Sequence, residues 1–275
     1  MTAVIQTATP TPKGIHVGIG GWVFAPWRGG MFYPEDLVQR RELEYASRHV
    51  TAIEINGTYY GEQKPATYAK WRDETPPHFV FSAKAPKRIT QSRKLAGTRP
   101  QIERFIEGIV ELGPKLGPLV WQFAAGKKMD RDDFAEFLGL LPKQARGQKL
   151  RHVVEIRDPA FADAELVALV REHGVATVFT DSLEHPSFAD LSGDFVYARL
   201  MRSQSRLKQG YTAPALAQWA KRIQAWRRGE DVADLPHLAK PLAKGKPREV
   251  FVYFISAAKE RNPGAAMALL KQLSR

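Results

Sequence analysis

Two short stretches carry ionisable groups where a buried strand would not hold them without a reason. The first is Val50-Thr51-Ala52-Ile53-Glu54-Ile55-Asn56-Gly57-Thr58-Tyr59-Tyr60, an apolar strand pattern ending in a carboxylate, an amide and two phenols. Side chains alternate along a strand, so Ala52, Glu54 and Asn56 share one face while Ile53 and Ile55 share the other. The second is Val153-Val154-Glu155-Ile156-Arg157, in which Glu155 and Arg157 share a face. A charge on an apolar strand is costly unless it is paired, hydrogen-bonded or wet, so something must meet both acids. Paired carboxylates in unlike environments have their pKa values pushed apart, which lets one donate and the other accept a proton. Glu54, Glu155 and Asp181, the acid that closes Val175-Ala176-Thr177-Val178-Phe179-Thr180, are the candidate catalytic residues.

Polar groups recur at the exits of other strand-like stretches: Lys84 after Val80-Phe81-Ser82-Ala83, Gln122 after Leu119-Val120-Trp121, and Arg199 within Phe195–Leu200. Two basic segments follow. Lys84, Lys87, Arg88, Arg93 and Lys94 form one, and Arg199, Arg202, Arg206 and Lys208 form the other, neither containing an acid. Cations gathered in this way favour phosphate, in a small molecule or in a nucleic-acid backbone. The candidate ligand contacts are Asn56, Lys84, Arg88, Gln122, Arg157, Arg199, Arg202 and Arg206. The competing reading makes Glu54, Lys84, Glu155 and Arg157 a structural ion-pair network plugging one end of the fold. The aromatics Trp22, Phe24, Trp27, Phe32, Tyr33, Tyr59 and Tyr60 are a hydrophobic lid in one view and a stacking surface in the other.

A metal is possible and not favoured. Of the histidines, those at 16, 49, 78 and 152 precede or begin strand-like stretches, and only His185 can reach the strand exits. Glu155 and Asp181 have the oxygen chemistry for Mg²⁺ or Mn²⁺, but the neighbouring Lys and Arg disfavour a vacant cation site. No cofactor motif stands out either, because Gly18-Ile19-Gly20-Gly21-Trp22 has the wrong spacing for a dinucleotide fingerprint.

The elements that must position these groups alternate regularly. Strand patterns at 15–20, 50–56, 78–84, 117–123, 151–157, 175–181, 195–200 and 249–255 are separated by helical patterns, among them 34–48, 100–112, 131–141, 162–173, 213–228 and 263–273. This predicts an α/β fold, a single (β/α)₈ barrel of TIM type, over residues 14–275, with 1–13 as a disordered leader. A doubly wound sheet is the alternative. The chain has 275 residues, 44% of them hydrophobic, enough for a sizeable core. It has no cysteine, which fits a reducing cytoplasm, and no apolar run approaching the ~20 residues of a membrane span. Its formal charge of +12 implies attraction to anions without choosing among them.

Gly18-Ile19-Gly20-Gly21-Trp22, Trp27-Arg28-Gly29 and Phe32-Tyr33-Pro34 resemble the opening motif of the YecE-like family, the domain-of-unknown-function 72 family. Ile53–Tyr60 is similar to its second motif, and Thr75-Pro76, Phe79–Lys84, Leu116-Gly117-Pro118 with Gln122-Phe123, and Val154–Arg157 continue the likeness over roughly residues 15–275. The chain resembles a divergent member. The family usually has serine at Gly57, histidine at Gln91, His-Gly at Met201-Arg202 and Asn-Asn-Asp at Ile255-Ser256-Ala257. The resemblance implies a TIM-type barrel of the xylose-isomerase-like and endonuclease-IV-like kind, and no particular reaction. The expected function is an enzyme acting on a phosphorylated or other anionic substrate. The alternative is a nucleic-acid-binding barrel without catalysis.

Overall fold

The structure, a computed structural model, describes residues 13–274, so residues 1–12 of the expected leader lie outside the described residues. Eight parallel strands close into a barrel, with each strand beside its neighbour in sequence and the last beside the first. They are β1 (Ile15–Gly20), β2 (Ala52–Ile55), β3 (Val80–Lys84), β4 (Leu116–Phe123), β5 (His152–Ile156), β6 (Ala176–Thr180), β7 (Phe195–Leu200) and β8 (Glu249–Phe254). Their near-continuous Val, Ile and Phe content suits strands buried on both faces. Helices α1 (Glu42–His49), α2 (Pro65–Asp73), α3 (Lys87–Thr90), α4 (Arg99–Ile109), α5 (Arg131–Leu140), α6 (Ala164–His173), α7 (Ala213–Arg227) and α8 (Asn262–Leu273) occupy the connections. The predicted (β/α)₈ barrel is the observed fold.

Two apolar layers form, as alternation requires. Outward side chains pack beneath helices: Phe123 meets Phe134 and Phe137 of α5 at 5.3 and 5.6 Å, and Phe179 meets Trp219 and Trp226 of α7 at 5.6 and 5.8 Å. Inward side chains, including Val120, Val153, Val178, Tyr197, Phe251 and Tyr253, form a separate core on the axis. Helix starts follow local capping chemistry. The Asp130, Asp163 and Thr212 side chains accept from the backbone N–H groups of Asp133, Leu166 and Ala215. Gly174 ends α6 in the left-handed conformation, at φ 66°.

One predicted helix is shorter than expected, and one connection holds no helix. The helix predicted from Pro34 is confined to Glu42–His49, preceded by one 3₁₀ turn at Gln39–Arg41. Phe32, Tyr33 and Leu37 instead pack into the β1–α1 aromatic cluster, where Tyr33 donates to the Trp22 carbonyl at 2.5 Å. Between β6 and β7 no helix forms, and the excursion at 229–248 takes over that flank. Asp190 accepts from the backbone of Leu238 and Ala239 at 2.8 and 3.0 Å, while Phe188, Leu191, Val232 and Leu235 are buried together. Among the described residues no helix is long and apolar enough to cross a membrane.

Gly18 is the position where the barrel tolerates no side chain: a Cβ there would lie 1.9 Å from the Ala52 carbonyl oxygen. Gly18→Ala is expected to cost at least about 2 kcal/mol in urea unfolding. Gly57→Ala, where a Cβ meets nothing within 4 Å, should leave stability unchanged or slightly raised.

Candidate functional site

Strands β2, β5 and β7 bring Glu54, Glu155 and Arg199 to one point inside the barrel. Arg199 Nη2 donates to Glu54 Oε1 at 3.0 Å, and its Nη1 donates to Glu155 Oε2 at 2.6 Å. Arg157, just past the end of β5, donates through Nε and Nη2 to Glu155 Oε1 at 3.1 and 3.0 Å. Tyr197 Oη completes the set by donating to Glu54 Oε2 at 2.7 Å. Every carboxylate oxygen therefore has a donor, and Glu54, Glu155 and Arg199 are at most 3% exposed.

The electrostatics follow from that arrangement. Burial alone would raise the Glu155 pKa, but Arg199, Arg157 and Lys84 outweigh it and hold the carboxyl below its ordinary range. Burial likewise opposes the Arg199 charge, and Glu155 and Glu54 more than offset it, so its pKa is raised. Burial and then Glu54 raise the Tyr197 phenol well above its usual value, keeping it a donor. Beneath the acids, Tyr253 and Ser82 share a 2.6 Å hydrogen bond and the Tyr197 and Tyr253 rings lie 5.1 Å apart, closing the axis.

Above this floor opens a cavity of about 640 Å³, lined by Asn56, Lys84, Gln122, Arg157, Arg199, Lys259 and Asn262, with Trp22, Tyr59, Tyr60 and Trp71 in its walls. Lys84 Nζ stands 5.3 Å from the centre of the Tyr59 ring. It has no acid partner among the described residues. Burial, then the charge of Arg199, pushes its pKa down to about 8. Lys259 lies over the Phe24 ring at 4.5 Å and its pKa is also lowered by burial. Gln122 Oε1 and Asn262 Oδ1 are buried without a hydrogen-bond partner.

Other predicted residues are elsewhere. Asp181 shares the outward parity of Phe179, so it points away from the axis and accepts from Met201 N at 2.5 Å and Tyr211 Oη at 3.2 Å. Burial raises its pKa despite those donors. With Arg202 it lines a separate groove of about 500 Å³ that Trp219 also borders. Arg88 is paired with Glu62, and Arg206 donates to Gln204 at 2.9 Å in solvent. Their positions correct the expectation that the charges of both basic segments converge on one mouth. Arg88 is held by an acid outside its segment, Arg202 faces the separate groove, and Arg206 is held by Gln204 in its own loop. Sequence reading missed Lys259 and Asn262. Both follow the exit of β8, and Glu260 beside Lys259 hid that loop from a search for acid-free segments. His185 sits near enough to Arg157 for that charge, after burial, to lower its pKa. Among the described residues no group of three or more His, Asp or Glu is placed to hold a metal ion.

Residues 16–275 match the family model described as protein of unknown function DUF72. The chain belongs to the DUF72 family. The UPF0759 protein YecE of Escherichia coli (strain K12) is 27% identical to it over 176 residues, 61% of this chain. The match spans 59% of that relative's length. Among solved structures, a DUF72 family protein from Thermotoga maritima MSB8 superposes with a TM-score of 0.72 at 22% identity, covering 95% of this chain and 99% of the other. One from Enterococcus faecalis V583 gives 0.66 at 15% identity, covering 95% and 98%. These DUF72 structures share the barrel.

In this DUF72 chain Arg199 holds both buried acids, whereas Arg157 holds one that Arg199 also holds. Arg199→Met is therefore expected to destabilise by about 3–5 kcal/mol, and Arg157→Ala by clearly less, in urea unfolding at neutral pH. Equal losses would mean that the two guanidiniums share the load.

Lys84 gives a pH signature. Folded, it loses its proton near 8; unfolded, near its ordinary 10.5. Between those values the unfolded chain binds more protons, so stability rises with pH across this window. Measured against Lys84→Met, the wild type should gain roughly 2–3 kcal/mol from pH 7 to pH 11. A flat difference would show that Lys84 is hydrated as in water.

Proposed function

We propose that the barrel mouth binds a small metabolite bearing phosphate or carboxylate, and that the protein is an enzyme acting on it. Lys84 carries this conclusion. Two acids, Glu54 and Glu155, face three cations, Arg157, Arg199 and Lys84, and the two guanidiniums already occupy the three carboxylate oxygens that Tyr197 does not. The surplus positive charge sits at the cavity wall, with Lys259 adding another. A cation held in a cleft of low dielectric attracts an anion more strongly than one on an open surface. The aromatic walls and partly enclosed volume suit a small molecule with an apolar or ring portion.

In this view Glu54 and Glu155 position the guanidiniums and transfer no proton, because both oxygens of each acid are committed. Proton transfer falls to Lys84, whose ordinary range has been brought toward neutrality. Asn56 and Gln122 supply neutral contacts. Asp181, Arg88, Arg202 and Arg206 stay outside the role. A cysteine-free chain acting on such metabolites fits the cytoplasm. One observation favours a second reading, a single strand of nucleic acid lying across the rim: Tyr60 is 76% exposed, and Lys87 Nζ stands 5.3 Å from the centre of its ring.

Calorimetric titration with inorganic phosphate, glycerol 3-phosphate and short single-stranded DNA, at low and moderate salt, tests both. Binding of the small anions that weakens at least tenfold in Arg157→Ala and responds little to salt is expected. DNA binding that falls steeply with salt and is lost in Lys87→Ala/Tyr60→Ala would favour the rim. Absence of binding by any of the three would remove the anion site.

A further inference from the structure

We infer that Lys84 is a nucleophilic amine that forms an imine with an aldehyde or ketone carrying a phosphate or carboxylate group. This rests on the mouth being an anion site. Its basis is the combination of groups around one nitrogen. Lys84 leaves the end of β3 on the inward parity, and its ammonium meets an aromatic face, the Tyr59 ring, where the other cations of the floor meet carboxylates. No acid or hydrogen-bond acceptor among the described residues claims Nζ, whereas Arg199 and Arg157 are both engaged. A lysine whose only task was structural would be expected to pair with Glu155, as Arg157 does.

The neighbourhood also discourages the protonated form. Burial and then the charge of Arg199, with Arg157 adding less, outweigh the opposing pull of Glu54 and Glu155 and favour the free amine, in line with the pKa of about 8. A fraction on the order of a tenth is then unprotonated at neutral pH, against less than about a thousandth for a solvated lysine. The cavity supplies what an adduct needs. Arg157 and Lys259 are cations for the phosphate or carboxylate of the incoming compound. Gln122 Oε1 and Asn262 Oδ1, buried without partners in the lining of the same cavity, are acceptors for a hydroxyl group.

The step balances without another reagent. The lone pair on Lys84 Nζ forms a C–N bond to the carbonyl carbon, and the carbonyl π pair moves to oxygen. A proton passes from nitrogen to that oxygen through solvent, giving a carbinolamine whose hydroxyl Gln122 or Asn262 accepts from. A further proton from solvent lets the C–O bond break. Water leaves with the bonding pair, and the nitrogen lone pair closes the C=N bond. Amine, carbonyl and one proton become a protonated imine and one water.

The probe is pyridoxal 5′-phosphate, which joins an aldehyde to a phosphate, with pyridoxal as the arm lacking the anion. One equivalent is mixed with the full chain, reduced with borohydride and mapped by peptide mass spectrometry. The expected result is that Lys84 takes most of the label, that its rate rises at least fivefold from pH 7 to pH 9, and that inorganic phosphate slows it at least tenfold. Pyridoxal should label Lys84 at least tenfold more slowly. Lys84→Arg, which keeps the charge, should keep the wild-type circular-dichroism spectrum yet lose the adduct, separating nucleophilicity from folding. Phosphate binding with label spread over exposed lysines such as Lys87 and Lys94, or with Lys259 modified instead, overturns the inference and leaves the anion site standing. An adduct on Lys84 that phosphate does not slow overturns the anion site, and with it the substrate class named here.

Discussion

The bridge from Arg199 to Glu54 and Glu155 is the interaction on which the mouth of this barrel depends. It joins β7 to β2 and β5, strands that are not neighbours in the sheet, across the axis and not along its wall. Three charges in so dry a place are unfavourable one by one, and each is tolerable only because the others are present. The geometry is correspondingly complete: four carboxylate oxygens, four sets of donors, and a plane of tyrosine rings beneath that keeps water from loosening the set. Arg199 Nε is buried without an acceptor.

That completeness decides what the mouth offers. Arg199 with its two acids carries one negative charge, Arg157 neutralises it, and Lys84 is then the first cation without a counterpart. The acids, which the sequence suggested as proton-transfer groups, are the least available residues of the site. The lysine that looked like one cation among several is the most available. In the proposed reading, charge balance inside a closed barrel shifts the chemistry from carboxylates to an amine.

The barrel was legible because period-2 apolar runs and helical patterns alternate from end to end, and because buried parallel strands leave little choice of fold. The parity argument placed Glu54, Lys84, Glu155, Arg157 and Arg199 together correctly, since strand geometry alone decides the inward side. It failed at Asp181, where the acid was assigned by its position at a strand end although it shares parity with Phe179, an outward residue under α7. The basic segments were misread for another reason. Counting acids within a loop says nothing about acids on the next one, and Glu62 on a neighbouring connection takes Arg88. Nor could spacing show that the flank beside β6 would be covered by the excursion at 229–248 instead of a helix, because the tie between Asp190 and Leu238 spans 48 residues.

The departures from the usual family pattern fall in an informative place. Gly57, Gln91, Met201-Arg202 and Ile255-Ser256-Ala257 all lie beyond strand ends; Gly57, Ile255 and Ser256 line the mouth, Arg202 borders the separate groove, and none belongs to the charged floor. Ser256 and Ala257 follow β8 at φ 58° and 46°, a conformation that asparagine accepts more readily than serine or alanine. The loop thus keeps a left-handed path even where the side chains no longer favour it, and Asn262, which donates to the Ser256 carbonyl at 3.2 Å, helps hold it. A wall that changes its side chains while keeping its backbone alters the outline presented to a ligand. A floor that keeps its charges preserves what attracts one. Under the proposed function, divergence of this kind changes which anion fits more readily than it abolishes anion capture, because the attraction would come from Lys84 and Arg157 below and the selection from Ser256, Gly57 and the aromatic walls above.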